Sequence, residues 1–248
     1  MRRQQIRVRS ENRKTQTGRL MGCSALLAFV IPLGSLLTGR ALAPAMVVVF
    51  SGCSVLSPKP DRARFILLAA ATPGGSNNGR LTANPNLPSL AIGLGPVQLP
   101  EYLDRPELVI RTSPNGFDLS ETDRWAESLA DNFRRVLAND LTELMGTANI
   151  VQYPWYAGTR LDYIAHVQVQ RFEADTNNNA QLIAHWDLRT SQNDQLLVSR
   201  EAQFSRPVTS LSGEAVAAAL SADVAELAGL IASGIAQVQQ QRLARGPS

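Results

Sequence analysis

Apolar and polar residues alternate along two neighbouring stretches in the second half of the chain. An asparagine-rich segment at 175–179 separates them and supplies a turn. Strict alternation with a period of two is typical of a strand with one buried and one wetter face, so the pattern predicts a β-hairpin. The stretch from Leu196 to Phe204 predicts a third antiparallel strand. The apolar side of the hairpin comprises Tyr163, Ala165, Val167 and Val169, then Leu182, Ala184, Trp186 and Leu188.

Two other stretches repeat apolar residues every three or four positions, which is the period of an amphipathic helix. The first predicts a helix over 123–145, with Ser120–Asp123 as a variant capping box and Gly146 as its stop. The second predicts a helix that begins after Ser212 and gives way at Gln239 to a polar, fraying tail. The apolar faces comprise Trp125, Leu129, Phe133, Val136, Leu137, Leu141 and Leu144 in the first helix, and Val216, Leu220, Val224, Leu227, Ile231, Ile235 and Val238 in the second.

Shorter apolar runs in the first half of the chain predict further strands. Phe65–Ala70 is apolar throughout, which is typical of a strand in the centre of a sheet. The runs at 92–97 and 108–110 flank a proline-bounded segment, and Ile150–Trp155 predicts a strand that ends in an aromatic-proline turn. The whole pattern predicts an α+β fold: a mixed or antiparallel sheet of six or seven strands with two long helices packed on one face.

The N-terminal segment has the pattern of an export leader. A basic stretch precedes apolar runs at 20–37 and 41–50, and small residues stand directly before Cys53. The sequence Phe50-Ser-Gly-Cys53 resembles a lipobox, which predicts acylation of Cys53; an ordinary uncleaved anchor is the alternative. The predicted organisation is a leader (1–52), a lipidated N-terminus and tether (53–64), a folded domain (65–241) and a polar tail (242–248).

The basic character of the whole chain comes from this leader. Across 248 residues, 24 Lys and Arg stand against 21 Asp and Glu, a net charge of +3. Removing the eight basic residues and the one acid of residues 1–52 leaves 16 basic and 20 acidic residues, a net charge of −4. An acidic body without a basic stripe argues against nucleic-acid binding.

A rigid turn is predicted where prolines bound residues 100–106, because each proline fixes φ and removes a backbone donor. We call this segment the 100–106 corner. One interpretation is a purely structural corner, in which Arg105 pairs with Asp104 or Glu107. The other is a partner-binding motif on the surface, made of Tyr102, Asp104 and Arg105.

Catalytic and metal-binding patterns are missing from the sequence of the predicted domain. His166 and His185 fall on the wetter side of neighbouring strands without a third ligand at metal spacing. The sequence Gly93-Leu-Gly95-Pro lacks the lysine and third glycine of a phosphate loop. No Gly-x-Ser-x-Gly motif occurs, and no cysteine follows Cys53. We therefore predict a protein that is not an enzyme and that uses no cofactor and no metal.

Three motifs in order resemble a known family. They are the Gly-Leu-Gly-Pro-Val-Gln-Leu-Pro-Glu-Tyr-Leu-Asp-Arg-Pro stretch at 93–106, Asp123-Arg-Trp-Ala-Glu127, and Tyr153-Pro-Trp155. Together they are similar to the PqiC-type auxiliary lipoproteins of ABC transport systems that work with MCE proteins.

The resemblance implies a lipid-anchored subunit on the periplasmic face of the outer membrane, acylated with palmitate-like chains. Its implied partners are an MCE-domain protein and an ABC transporter complex, within a system for lipid transport that supports membrane integrity. It also implies assembly into a homo-oligomeric ring as one arrangement. The alternative is an independent periplasmic lipid-binding carrier with an apolar pocket between helix and sheet.

Overall fold

The computed structural model describes residues 62–71, 90–146 and 149–245. Every described residue belongs to the unit Pro58–Ser248. The leader and Cys53 lie outside the described residues. The elements are β1 (Arg64–Ile66), β2 (Ala91–Gln98), β3 (Glu107–Ser113), β4 (Gly116–Trp125), α1 (Leu129–Met145), β5 (Asn149–Gln152), β6 (Tyr163–Asp175), β7 (Asn179–Thr190), β8 (Leu196–Pro207) and α2 (Gly213–Arg245).

All eight strands join one mixed sheet around β6. One edge of β6 pairs along its length with β7, which in turn pairs with β8, both antiparallel. The other edge pairs in parallel first with β2 and then, near its C-terminal end, with β3. Strand β5 lies parallel beside β2, and β4 and β1 continue the sheet beyond β3. The predicted α+β class with a mixed sheet is confirmed, with eight strands where six or seven were expected.

Both helices cover the same face of the sheet. Phe133 of α1 packs edge-on against Phe172 of β6, with ring centroids 5.1 Å apart. Helix α2 crosses the hairpin so closely that Gly234 lies against the indole of Trp186. Helix α2 is apolar and long enough to span a membrane, but 61% of its most apolar window is buried inside the fold. We therefore interpret α2 as a core helix of the folded domain.

The predicted start of the first helix is wrong. Residues 116–125 form β4, which pairs with β3, and α1 begins at Leu129 after the cap residue Ser128. The Ser120 hydroxyl accepts a hydrogen bond from the Asp123 amide at 2.9 Å. The hydrogen bond that the capping pattern predicts is therefore present, but it lies within β4 and not at the start of a helix. A local hydrogen bond of this kind forms equally in either context, and the pairing with β3 decides between them.

The prediction of a central strand at Phe65–Ala70 is also wrong. Strand β1 has three residues and, among the described strands, pairs with β4 alone, and Phe65 is 68% exposed. Beyond Ile66 the chain leaves the sheet and runs along the helices. The Leu68 amide donates to Asn132 Oδ1 at 2.7 Å and the Ala71 amide donates to Asp140 Oδ1 at 2.8 Å. Polar groups of α1 thus replace a neighbouring strand.

The predicted hairpin is confirmed, with a bulge that the pattern did not reveal. The pairing of β6 with β7 shifts between Val169 and Arg171. The helix-facing side therefore passes from odd positions such as Val169 to even positions such as Phe172. Helix α2 also extends to Arg245, beyond the point where we predicted fraying. The Tyr163 hydroxyl donates to Gln239 Oε1 at 2.9 Å and accepts from Arg242 at 3.0 Å, which holds the last turns in place.

Candidate partner-binding corner

The 100–106 corner bridges a gap in the sheet. Pairing of β2 with β6 ends at Gln168, and pairing of β3 with β6 begins at Ala174. A short 3₁₀ turn, Glu101–Leu103, starts the crossing, and the buried Leu103 side chain fixes it to the core. The Arg105 amide then donates to the Leu103 carbonyl at 2.9 Å, across Asp104 with φ −80° and ψ 66°. This is an inverse γ-turn. Its hydrogen bond and the buried Leu103 side chain constrain the corner together with the prolines, and the predicted rigidity stays a prediction.

Tyr102 faces back towards the sheet. Its hydroxyl donates to Glu173 Oε2 at 2.8 Å, and its ring stacks on Phe117 at 5.5 Å. The Arg111 guanidinium lies over the same ring, 5.7 Å from its centroid. Burial, with the nearby Glu173 carboxylate, raises the pKa of Tyr102 to about 12. Tyr102 is therefore a neutral phenol that braces the corner, and its predicted contact with a partner stays a prediction.

Glu173 is the buried acceptor beneath the corner. It is 1% exposed and accepts hydrogen bonds from Arg111 Nε at 2.7 Å, Arg171 Nε at 2.9 Å and the Phe172 amide at 2.9 Å. Burial raises the pKa of Glu173, but its hydrogen bonds from Arg111, Arg171 and Tyr102 outweigh burial and hold the pKa below 4.5. The sequence pattern does not predict this network, because the bulge in β6 is what turns Arg171 and Glu173 towards the corner.

Asp104 and Arg105 face outwards. Asp104 is exposed and Arg105 is half-exposed. Within the described residues, Arg105 forms no ion pair with Asp104 or Glu107, and its Nε is buried without a hydrogen-bond partner. The local pairing that would have made the corner purely structural is thus not observed. The predicted contact of Asp104 and Arg105 with a partner protein stays a prediction.

The second motif ties the corner to the start of the domain. The Trp125 amide donates to the Pro106 carbonyl at 2.6 Å, and the Trp125 side chain is buried in the core, as predicted. Asp123, 5% exposed, pairs with Arg64 at 2.9 Å and accepts from the Gly213 amide at 3.2 Å. One carboxylate therefore joins β1 to the first turn of α2. The sequence predicted the motif but not this role, since the three residues are far apart along the chain.

The third motif packs on the glycines of the first. A Cβ at Gly93 would lie 2.7 Å from Leu161 and 3.1 Å from the Trp155 ring, and one at Gly95 would lie 2.7 Å from His166. Because these two glycines have no side chains, they leave room for Leu161, Trp155 and His166 on the face of the sheet opposite the helices, which we call the open face. Tyr156, the residue after the motif, is 90% exposed.

The two histidines lie on neighbouring strands, at diagonal positions of the β6–β7 pairing, with His166 opposite Asp187 and His185 opposite Gln168. His166 Nδ1 contacts Asp187 Oδ1 at 3.2 Å, and His185 Nε2 contacts the Ser199 hydroxyl at 3.0 Å. Among the residues that the structure describes, no group of three or more His, Cys, Asp or Glu side chains is arranged to hold a metal. Each histidine thus contacts a polar side chain on an adjacent strand.

The described residues form an α+β domain with two helices on one face of a mixed sheet, and solved structures share this fold. Protein XCC0632 from Xanthomonas campestris, described with the DUF330 family, superposes with a TM-score of 0.56 at 20% identity, covering 72% of this chain and 98% of its own. An uncharacterized protein superposes with a TM-score of 0.53 at 20% identity, covering 60% and 95%. At this identity the likeness shows the fold alone. No curated protein matches the sequence.

The family is shown by the sequence itself. Residues 76–232 match the family described as the ABC-type transport auxiliary lipoprotein component, which is more than half of the chain. The chain belongs to this family, and the predicted resemblance is confirmed at that level.

Proposed function

We propose that this protein is a non-catalytic outer-membrane lipoprotein subunit of an MCE/ABC-type intermembrane lipid transport system that supports envelope integrity. Membership of the auxiliary lipoprotein family supports the transport role. Acyl chains on Cys53 anchor the domain to the membrane, facing the periplasm. An ATPase elsewhere in the system supplies the energy.

The 100–106 corner docks on the MCE-domain protein. The observation that carries this proposal is a pair of charged side chains on a hydrogen-bonded turn, the exposed Asp104 and the half-exposed Arg105, which form no ion pair with each other within the described residues. The network of Tyr102 and Glu173 holds the turn in place before binding, so little conformational entropy is lost on docking. Opposite charges on the partner would steer and orient the complex.

The alternative of an independent lipid carrier with a pocket between helix and sheet has less support. Within the described residues, that interface is filled by fully buried side chains such as Phe133, Phe172 and Trp186. A packed interface of this kind has no room for a lipid.

Charge reversal at the corner tests the proposal. The full-length protein, as wild type and as Arg105→Glu, is co-expressed with the MCE-domain protein and captured from detergent-solubilised membranes. We expect Arg105→Glu to reduce the co-purified MCE-domain protein by about tenfold or more, which corresponds to ~1.4 kcal/mol. Arg160→Glu is the matched control, because Arg160 is an exposed arginine on the loop before β6, outside the corner.

Two outcomes contradict the proposal at different levels. Equal capture by wild type, Arg105→Glu and Arg160→Glu would show that docking does not use the corner. Failure of the wild-type protein to retain the MCE-domain protein at all would remove the MCE system as its partner.

A further inference from the structure

A groove of about 1400 Å³ lies between residues 64–71 and the N-terminal half of α2. It exceeds the roughly 300–1,000 Å³ that is typical of small-molecule sites, so it has room for a longer ligand. Strand β1 borders one side of the groove, and among the described strands it pairs with β4 alone. Its other side is therefore a strand edge, which we call the β1 edge. An edge of this kind is where an extended chain can add a further strand.

Backbone groups of Phe65 and Leu67 lie along the β1 edge. The Ile66 carbonyl accepts a hydrogen bond from the Ala126 amide at 3.0 Å. Ile66 is therefore bonded towards β4, and the N–H and C=O of Phe65 point to the other side. A trans peptide directs the C=O of one residue and the N–H of the next in opposite directions, so the Leu67 N–H also points away from β4. None of these three groups makes a hydrogen bond with another described residue.

The side chains at the β1 edge are apolar and exposed. Phe65 is 68% exposed and Leu67 is 47% exposed, and both line the groove. Natural proteins protect edge strands with a lysine, a proline, a bulge or a covering element. The sequence Phe-Ile-Leu at 65–67 contains no lysine and no proline. The β1 edge therefore has the features of a strand that another chain covers.

The unpaired backbone groups favour a peptide as the ligand over an alkyl chain. A peptide supplies an N–H and a C=O at every residue, and alternate residues of an added strand can pair with Phe65 and Leu67. An alkyl chain over the same edge would bury these backbone groups without partners, which costs free energy. The small side chains of Ala218 and Ala222 on the α2 wall leave space beside the edge.

The charges of the groove leave one acid for a partner. Arg64 pairs with Asp123, and Arg206 pairs with Glu226. Glu214, in the first turn of α2, also lines the groove and is exposed. It forms no ion pair with any residue that the structure describes. A lysine or arginine on the ligand would complement this carboxylate and fix the register of the added strand.

We propose that the groove binds an extended segment of a partner protein, which adds a strand to β1. The segment pairs with the backbone of Phe65 and Leu67, covers their side chains with apolar residues at alternate positions, and places a basic residue against Glu214. This proposal goes beyond the proposed function and does not depend on it, because the partner is defined by the chemistry of its segment. Contact at the β1 edge uses the backbone, whereas docking at the 100–106 corner uses charged side chains.

Photocrosslinking in intact cells tests which molecule occupies the groove. The full-length protein carries benzoylphenylalanine in place of Phe65, and mass spectrometry identifies the segment that is joined to it after illumination. We expect one segment of a partner protein, with apolar residues at alternate positions and a lysine or arginine beside them. Benzoylphenylalanine in place of Leu243, which is 63% exposed near the end of α2, is the matched control and should not give this product.

Two substitutions at Leu67 test the pairing through the backbone. Leu67→Pro removes an N–H that has no partner among the described residues, whereas Leu67→Ala keeps the N–H and shortens the side chain. We expect Leu67→Pro to lower the yield of the product at position 65 about tenfold, and Leu67→Ala to lower it less than about threefold. Ala222→Trp, which narrows the groove from α2, should also remove the product, and it replaces Leu67→Pro as the test if that variant melts at a lower temperature.

Several results would overturn the proposal. They are the absence of a product at position 65, a phospholipid or a second copy of this chain as the product, and the same product from position 243. Equal yields from Leu67→Pro and Leu67→Ala in folded protein would also overturn it. Capture of the MCE-domain protein plays no part in this experiment, so this proposal and the docking proposal can fail separately.

Discussion

Glu173 is a fully buried carboxylate that stays ionised because three side chains and one amide donate to it. Taking a charge out of water is costly, and the cost is offset only where hydrogen bonds fill its lone pairs. Arg111 and Arg171 each keep part of their guanidinium in water, at 19% and 30% exposure, while Glu173 has none. At the scale of the single residue, this carboxylate is what holds Tyr102 and the corner above it.

Replacing Glu173 by Gln should destabilise the protein by about 3 kcal/mol at neutral pH, because two arginines then lose their buried partner. Since the folded-state pKa of Glu173 lies below 4.5, its contribution is present above that pH and is lost as pH falls through the folded value. The difference between variant and wild type should therefore shrink in acid. Urea unfolding at several pH values measures it.

Glu127→Gln is the matched control for this variant. Glu127 pairs with Arg135 at the surface, with its side chain 39% exposed. Exposed ion pairs contribute little, so we expect a change within about 0.5 kcal/mol. Equal losses for the two variants would contradict the special role of Glu173.

Asp223 is the opposite case of a buried carboxylate. It is 0% exposed, and Arg206 contacts one of its oxygens at 3.1 Å, whereas the other oxygen has no hydrogen-bond partner among the described residues. Burial raises the pKa of Asp223 to about 6, and the hydrogen bond from Arg206 only partly counteracts this. A raised pKa means that the folded state holds its proton more tightly than the unfolded state.

The stabilising contribution of protonated Asp223 is complete below the ordinary value of 3.8 and is lost as pH rises through about 6. Wild-type stability should fall by up to about 3 kcal/mol across this window from this group alone. Asp223→Asn should remove that slope, whereas Asp118→Asn, on the exposed side of β4, should keep it. Chemical denaturation between about pH 4 and pH 7 gives the two profiles. An unchanged slope in Asp223→Asn contradicts the assignment.

At the scale of the element, two of the three glycines in α2 lie in contrasting surroundings. A Cβ at Gly234 would lie 2.7 Å from the Trp186 ring, which is completely buried. A Cβ at Gly229 would have no neighbour within 4 Å. The helix needs the first glycine for close packing on the hairpin and does not need the second.

Gly234→Ala and Gly229→Ala should therefore change stability in opposite directions. The intrinsic helix preference of alanine gains about 1 kcal/mol at either position. At Gly234 the overpacking against Trp186 should outweigh this gain and leave a net loss of roughly 1–2 kcal/mol. Thermal unfolding of both variants measures these changes. If both substitutions stabilise the protein, the prediction for Gly234 is contradicted and the Trp186 side chain moves easily to accommodate the added methyl group.

At the scale of the whole molecule, the proposed membrane anchor is Cys53, a residue outside the described part of the chain. Cys53→Ser should release the protein from the membrane fraction, because each buried methylene of an acyl chain contributes ~0.8 kcal/mol to anchoring. Cys23→Ser, within the predicted leader, should leave the distribution unchanged. Fractionation shows the location, and mass spectrometry of the mature N-terminus identifies the modified residue. A mature wild-type protein with an unmodified Cys53 contradicts the proposed anchor.

Sequence patterns predicted the elements whose buried face repeats over many residues. The hairpin and the apolar face of α2 are examples. The sequence also predicted that Trp125 is buried, and three short motifs predicted the family. Three features of the candidate site were not predictable in this way. These are the strand at 116–125, the inward turn of Tyr102, and Glu173 as its acceptor.

The sequence by itself determined where this chain is apolar, with which period, and where prolines stiffen it, because those properties depend only on near neighbours. The tertiary structure decided which edge each strand takes, which way the residues after the bulge in β6 face, and which charges find partners. Glu173 meets Tyr102 from 71 residues away, and Asp123 meets Gly213 from 90 residues away. Contacts across such separations form only when the sheet assembles, so no local pattern encodes them.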